Sequence, residues 1–226
     1  MNYKIGIDYG GTKIEGILIN DKGEEILRKR SGYEKNYESG VNTIKNLVEE
    51  FDKHTNSKNS VGIGIPGSSS KENGLIKNAN SIWLNGKPFK KDLEMSLDRE
   101  IKIMNDANCF ALSEAIDGSG ANYNTVWGVI IGSGFGGSFV HNKKVVEGVN
   151  QVAGDWGHQP LPYPRKEEWD LNLKCPVDNC GRPLCAEQFI SGMGFTNIFN
   201  RKYKTNFTTK EIVDLELNGD ERAKKE

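Results

Sequence analysis

Strand-forming residues run through YKIGIDY (3–9), and a second such run, TKIEGILIN, follows Gly10 and Gly11. NDKG (20–23) signals a turn, and EEILRKR can return as a third strand. In YESGVNTIKNLVEEFDKH the apolar positions Val41, Ile44, Leu47, Val48 and Phe51 recur at helical spacing. SVGIGIPG then reads as a short buried strand running into a Gly/Pro loop. The expected order is strand, strand, strand, helix, strand.

The second half repeats the plan. TVWGVIIGSGFGGSFVHNKKVVEG (125–148) reads as strand, glycine turn, strand, polar turn, strand. Between the two openings, residues 91–118 read as a helix to about Glu100, a strand in IKIMN, and a helix from Asp106. Two hairpins, each with a glycine turn, predict an α/β protein of two related lobes, each a mixed sheet flanked by helices. The lobes are placed at residues 1–106 and 107–226. The tail, 207–226, is expected to be helical and highly charged, ending in ERAKKE with no apolar face to dock. No fourth and fifth strands follow the second hairpin, so the second lobe is expected to be cut short at its C-terminus.

The chain has 226 residues, enough for one large domain or two small ones with a real core. Its formal net charge of −1, with both signs interspersed, gives no basis for general binding to nucleic acid or to an anionic membrane. MNYKIGIDYGG is not a signal sequence, and no apolar stretch is long enough to span a bilayer. A cytoplasmic location is expected, where thiols stay reduced. That bears on CPVDNCGRPLCAE (175–187), which holds three of the four cysteines. Clustered thiols there suit a metal or redox chemistry, with a disulfide framework as the alternative.

Several stretches carry candidate chemistry. In IDYGGTK the amides of Gly10 and Gly11 can cradle phosphate oxygens, Thr12 adds a hydroxyl and Lys13 a positive charge. Asp8, at the strand end, offers an oxygen ligand for Mg²⁺. A tight hairpin that merely needs glycine reads the same way. GSGFGG supplies the matching turn of Gly132, Ser133 and Gly134; strand formers follow it, so it is not the dinucleotide fingerprint. In NDAN, Asp106 can be a helix N-cap or a general base that takes a proton from a substrate hydroxyl. GDWGH supplies Asp155 and His158. With Cys175, Cys180 and Cys185, His158 makes a closed tetrahedral set for a structural Zn²⁺, against the alternative of unrelated buried thiols.

Taken together, DYGGTK, GIGIPG, NDANCFALSEA, GSGFGG, GDWGH and CGRPLCAEQFISG resemble the ROK family of bacterial sugar kinases in the actin-like ATPase superfamily, from residue 3 to about residue 200. NANSIWLNG (78–86) is most similar to the fructokinase and mannokinase branch, and NDANCFALSEA is also similar to the N-acetylglucosamine kinase branch. The resemblance implies two RNase H-like lobes with a cleft where MgATP meets a hexose, and transfer of the γ-phosphate to the sugar 6-hydroxyl. It implies Asp106 as catalytic base, with Asn80, Asn105, Asp155, His158 and Glu187 also on the sugar. Asp8, the residues Gly10 to Lys13 and the turn Gly132 to Gly134 would surround the phosphates and Mg²⁺. The zinc would fix the loop that presents His158 and Glu187.

Three departures from the family pattern bear on these expectations. The family's first clustered cysteine falls at Asp178, so Cys175 must reach in or Asp178 must ligate; thiolate beside thiolates favours Cys175. Asp155 stands where the family usually has glutamate. Family members usually continue for several tens of residues with a Gly-rich adenosine motif, so weak ATP binding and low turnover are expected of this chain alone unless another polypeptide or a swapped dimer fills the gap. The leading expectation is an ATP-dependent fructose or mannose kinase. Alternatives are N-acetylglucosamine or glucose specificity, or a catalytically impaired sugar-binding fragment. A sugar-responsive repressor is set aside, because no helix-turn-helix fits before the first glycine turn. A homodimer is left open.

Overall fold

Alternation in YKIGIDY sorts Ile5, Ile7 and Tyr9 onto one face of strand β1 (Tyr3–Tyr9), and all three are buried. The computed structural model describes residues 2–170 and 181–225. It divides into two compact units, Met1–Cys109 and Phe110–Glu226.

In the first unit β1 pairs antiparallel with β2 (Lys13–Asn20), which pairs antiparallel with β3 (Glu25–Gly32). Helix α1 (Tyr37–Thr55) starts where the Asn36 side chain accepts the Ser39 amide, and ends at Asn56 in the left-handed conformation. Strand β4 (Ser60–Ile65) lies parallel to β1. The short pair β5 (Ser68–Ser69) and β6 (Ile76–Lys77) leads to a single 3₁₀ turn (Ile82–Leu84). Helix α2 (Phe89–Leu97), strand β7 (Ile101–Asn105) parallel to β4, and helix α3 (Asp106–Ile116) follow. The five-stranded order is β3-β2-β1-β4-β7.

The core of this unit joins Ile5, Ile7, Ile14, Leu18, Val61, Ile63 and Ile65 of the sheet to Ile44, Leu47, Val48 and Phe51 of α1 and Phe89 and Leu93 of α2. The helical period read from α1 therefore faces the sheet, and each such fully buried side chain contributes about 1.5–3 kcal/mol. Helix α2 stops at Leu97, short of the expected Glu100. Asp98 turns left-handed there, and the Glu94 carboxylate accepts the Ile101 amide at 3.1 Å, starting β7.

Away from the carboxyl ends of the parallel strands, an ion pair ties α1 to the start of β7. Arg99 bonds Asp52 with two nitrogens and donates to Asn59 O at 2.8 Å. The amide and side chain of Asn59 both reach Asp52 Oδ1 at 3.0 Å.

In the second unit β8 (Thr125–Ile131), β9 (Phe135–His141) and β10 (Lys144–Val145) form an antiparallel sheet in the order β10-β9-β8. Ala111 and Ala115 of α3 pack with Val140, and a Cβ on Gly128 would stand 2.6 Å from the Ala111 Cβ, so small residues set this approach. The Lys143 ammonium caps the end of α3, donating to the carbonyls of Ala115, Ala121 and Tyr123. Short helices α4 (Lys166–Asp170) and α5 (Glu187–Ile190) precede α6 (Gly192–Tyr203), α7 (Thr209–Leu217) and a 3₁₀ turn (Ala223–Lys225). Among the described residues no strand follows β10 except an isolated bridge, as the sequence pattern predicts. The tail corrects its expectation. Ile212 and Ala223 are buried with Phe199 in a small core of their own, so the charged end does dock an apolar face.

Burial pushes the Asp52 carboxyl up, but Arg99 and the Asn59 donors outweigh it and hold the group below the usual carboxylate range. A carboxylate lowered in the folded state stabilises above about pH 4, and that stabilisation is lost as pH falls through the lower folded value. Arg99→Met should cost about 1.5–3 kcal/mol at neutral pH, since the half-buried Asp52 carboxylate then keeps only the Asn59 donors. Urea melts should show the gap to the unsubstituted chain narrowing below about pH 4; a gap independent of pH would contradict the ion pair's role.

Candidate active site

Ligand sites in open α/β sheets lie beyond the carboxyl ends of the parallel strands. In the first unit those ends belong to β1, β4 and β7. Asp8 occupies the end of β1 and sits in register with Gly64 of β4, which pairs in turn with Met104 of β7. A Cβ on Gly64 would lie 3.5 Å from Cys109 Sγ and 3.9 Å from Asp106 Cα, so the start of α3 is laid directly over β4. Asp8 and Asp106 thereby face one region from strand ends on either side of β4.

The two acids are not equivalent. Loss of hydration raises the Asp106 carboxyl above its ordinary range, and the Asp8 charge raises it further against the pull of the Ala107 amide. Asp8 is also raised by lost hydration, then by Glu15, while Arg30 pulls it down. Glu15, cross-strand from Asp8, is itself bridged by Arg28 and Arg30. Of the two roles open to Asp106, N-capping belongs instead to Asn105, whose Oδ1 accepts the Asn108 amide at 3.2 Å. Asp106 is the first helical residue, and its carboxylate accepts the adjacent Ala107 amide at 2.8 Å. Cys109, one turn on, has its thiol pushed up to about 11 by burial and by the two aspartates, which makes it a poor nucleophile.

The first glycine turn is closed by Gly10 N donating to Lys13 O at 3.0 Å. A Cβ on Gly10 would come within 2.9 Å of that oxygen, whereas one on Gly11 would meet nothing within 4 Å. The turn itself demands glycine at 10; open space at 11 suits the approach of a ligand. Thr12 and Lys13 are exposed beside it. In residues 78–86 Asn80 is exposed, and its neighbour Ala79 is braced on both backbone groups by Asn85 at 2.9 and 3.0 Å. Gly67 of GIGIPG has φ +126°, and a Cβ there would press to 2.8 Å of Ala79 Cα, so this glycine loop underlies the asparagine loop.

In the second unit, α6 presents its first amides to the glycine turn: Gly192 N donates to Gly132 O at 2.8 Å and Met193 N to Ser133 O at 3.3 Å. Gly132 N closes the turn on Gly134 O at 3.0 Å. Glu187 holds the next residue, its Oε2 accepting Phe135 N at 3.0 Å. A backbone ladder joins residues 157–161 to 184–187, with Glu187 N on Gly157 O, Ala186 N on Gln159 O and Leu161 N on Leu184 O. It sets His158 and Glu187 beside the turn and brings Cys185, fully buried, to 3.7 Å of His158 O. Asp155 is raised by lost hydration and by Glu187, opposed by the Gly157 amide and His158. Trp156 packs between Phe135 and Trp127, with ring centroids 4.5 and 4.6 Å away, and fixes the segment that carries Asp155. Of the zinc set, Cys175 and Cys180 lie outside the described residues; among those described there is no cluster of three or more side chains suited to a metal. Sequence reasoning missed Tyr33, Asn85 and the amide-holding role of Glu187, all set by contacts remote in sequence.

A sequence profile of the ROK family matches residues 4–226. An N-acetyl-D-glucosamine kinase from Haemophilus influenzae is 39% identical over 221 residues, covering 96% of this chain and 72% of that protein. The ROK hexokinase from Thermus thermophilus superposes with a TM-score of 0.80 at 22% identity, over 99% of this chain and 72% of that one. A ROK glucokinase from Streptomyces griseus, solved with glucose and AMPPNP, gives 0.76 at 23% identity over 98% and 73%. The fold is thus the α/β actin-like ATPase fold of sugar kinases, and the chain is a homologue of ATP-dependent sugar phosphotransferases. It belongs to the ROK family. No helix among the described residues is long and apolar enough to cross a membrane.

Asp8→Asn should lower the titration midpoint of Asp106, because it removes a neighbouring negative charge that disfavours ionisation. Carboxyl-carbon NMR across pH 3 to 8 checks this against the ordinary carboxylate value of about 4; an unmoved midpoint would mean that the two acids do not share a site.

Proposed function

We propose that this chain phosphorylates N-acetylglucosamine at its 6-hydroxyl with ATP. One observation carries the chemistry: an aspartate raised by its surroundings, released from capping by Asn105, shares with Asp8 the carboxyl end of the parallel strands, beside an open glycine turn. The identity to the Haemophilus influenzae N-acetyl-D-glucosamine kinase supports this sugar over the fructose or mannose suggested by NANSIWLNG.

Asp106 takes the proton of the attacking hydroxyl as the oxygen meets the γ-phosphorus. Its raised affinity for a proton suits that task. Lys13 and the amides of the first turn are the first unit's groups for the triphosphate, and Ser133 and Gly134 are those the family resemblance assigns in the second. Asn80 and Asn105 in the first unit, and Asp155, His158 and Glu187 in the second, are the groups assigned to sugar hydroxyls by the family resemblance. Mg²⁺ arrives with ATP and neutralises phosphate charge; Asp8, crowded by Glu15 and close enough to raise Asp106, is the fitting carboxylate to hold it. Zn²⁺ would be held by His158 and Cys185, which the backbone ladder already brings to neighbouring segments, with Cys175 and Cys180 completing the set.

Asp106→Asn should reduce phosphoryl transfer by about 10²–10⁴-fold. Its affinity for N-acetylglucosamine, measured by calorimetry, should change by no more than a few-fold. Retained turnover would place the base elsewhere. In a substrate panel kcat/KM should favour N-acetylglucosamine over fructose; the reverse ranking would restore the fructokinase reading.

Elemental analysis of the purified protein should find one zinc per chain, lost on Cys185→Ser together with N-acetylglucosamine affinity. A folded, sugar-binding chain without stoichiometric zinc would defeat the metal assignment.

A further inference from the structure

The loop of residues 78–86 and the first glycine turn are far apart in sequence, yet two aromatic hydroxyls join them. Trp83 sits in the 3₁₀ turn three residues after Asn80 and donates its indole N–H to Tyr9 Oη at 3.0 Å. Tyr9 closes β1, immediately before Gly10, and is 1% exposed. Its hydroxyl fits against α1 only because residue 40 is glycine: a Cβ there would lie 2.3 Å from Tyr9 Oη. Tyr33 packs on both rings, with centroids 5.2 Å from Tyr9 and 6.2 Å from Trp83, and donates its own hydroxyl to Gly10 O at 2.9 Å. The loop end of this chain is stiff as well. Asn85 braces Ala79, and Leu84 is fully buried.

We propose that Trp83 and Tyr33 are positioning residues that couple the asparagine loop to the phosphate turn through Tyr9, so that sugar held at Asn80 tightens the grip of the turn on MgATP. The ends are assigned by the proposed function, on which this coupling rests; the strap itself is a property of the first unit alone. Movement of the loop is carried to Tyr9 by a directed bond, and by Tyr33 packed on both rings, rather than by slack backbone. Tyr33 transmits it to Gly10 O, the carbonyl within the turn, whose placement orients the amides that follow. Burial holds the Tyr9 phenol above its usual range, so the strap stays neutral and intact through physiological pH.

Tyr33→Phe removes the hydroxyl and keeps the ring, and Trp83→Phe removes the indole N–H and leaves a smaller aromatic ring in its place. Both should retain a cooperative thermal melt within a few degrees of the parent protein. In the ligand-free chain, native-state hydrogen exchange of the Gly10 amide should be about tenfold faster in Tyr33→Phe and at least twofold faster in Trp83→Phe, although Trp83 bonds Tyr9 and not the turn. Calorimetry then gives the MgATP dissociation constant with and without saturating N-acetylglucosamine. The parent chain should bind MgATP about fivefold or more tightly with sugar present; in both variants that ratio should fall toward one. An unchanged Gly10 exchange rate in Trp83→Phe, or an unchanged sugar ratio in the variants, overturns the coupling while leaving the sugar kinase assignment standing. A parent chain that binds neither ligand contradicts the proposed function and the coupling together.

Discussion

Strand β1 is paired antiparallel on one side and parallel on the other, and the rest of the first unit follows from that. The antiparallel partner β2 requires a turn at the carboxyl end of β1. The parallel partners β4 and β7 deliver their own carboxyl ends to the same edge. A turn whose amides can face anions, a strand-end aspartate and the first residue of a helix are therefore collected on one edge by hydrogen-bond register alone. Gly64 lies under this arrangement, where a Cβ would touch Cys109 and the start of α3 at ordinary contact distance.

That edge concentrates negative charge. Asp8, Glu15 and Asp106 lie near one another, and the arginines of β3 compensate only Glu15 directly. The result is a pair of aspartates with raised proton affinity beside a turn with open space at Gly11. A base needs the first property and a phosphate needs the second. In the second unit a different device serves the matching turn. The start of α6 and the Glu187 carboxylate fix its carbonyls and its following amide, while Gly132 and Ser133 stay exposed.

Much of the fold was legible because its signals are local. Runs of strand formers broken by glycine turns marked β1, β2, β8 and β9, and the spacing of Ile44, Leu47, Val48 and Phe51 marked α1. The candidate residues were legible as motifs, but their division of labour was not. Asp106 and Asn105 are equally good caps by composition; only the 3.2 Å bond from Asn108 assigns the task to Asn105. Tyr33 reaches Gly10 across 23 residues, and Trp83 reaches Tyr9 across 74, distances over which no periodicity carries information. The tail misled because its docking residues, Ile212, Leu215 and Ala223, are interspersed with charged ones, and they find Phe199 only through the packing of α6 and α7.

The central claim is that the turn after β1 faces a triphosphate beside Asp106. Backbone amide NMR of the chain titrated with MgATP tests it most directly. The account predicts that the largest shifts fall on Gly11, Thr12 and Lys13 and extend to Asp106. Saturable shifts that spare this turn and cluster elsewhere would contradict it.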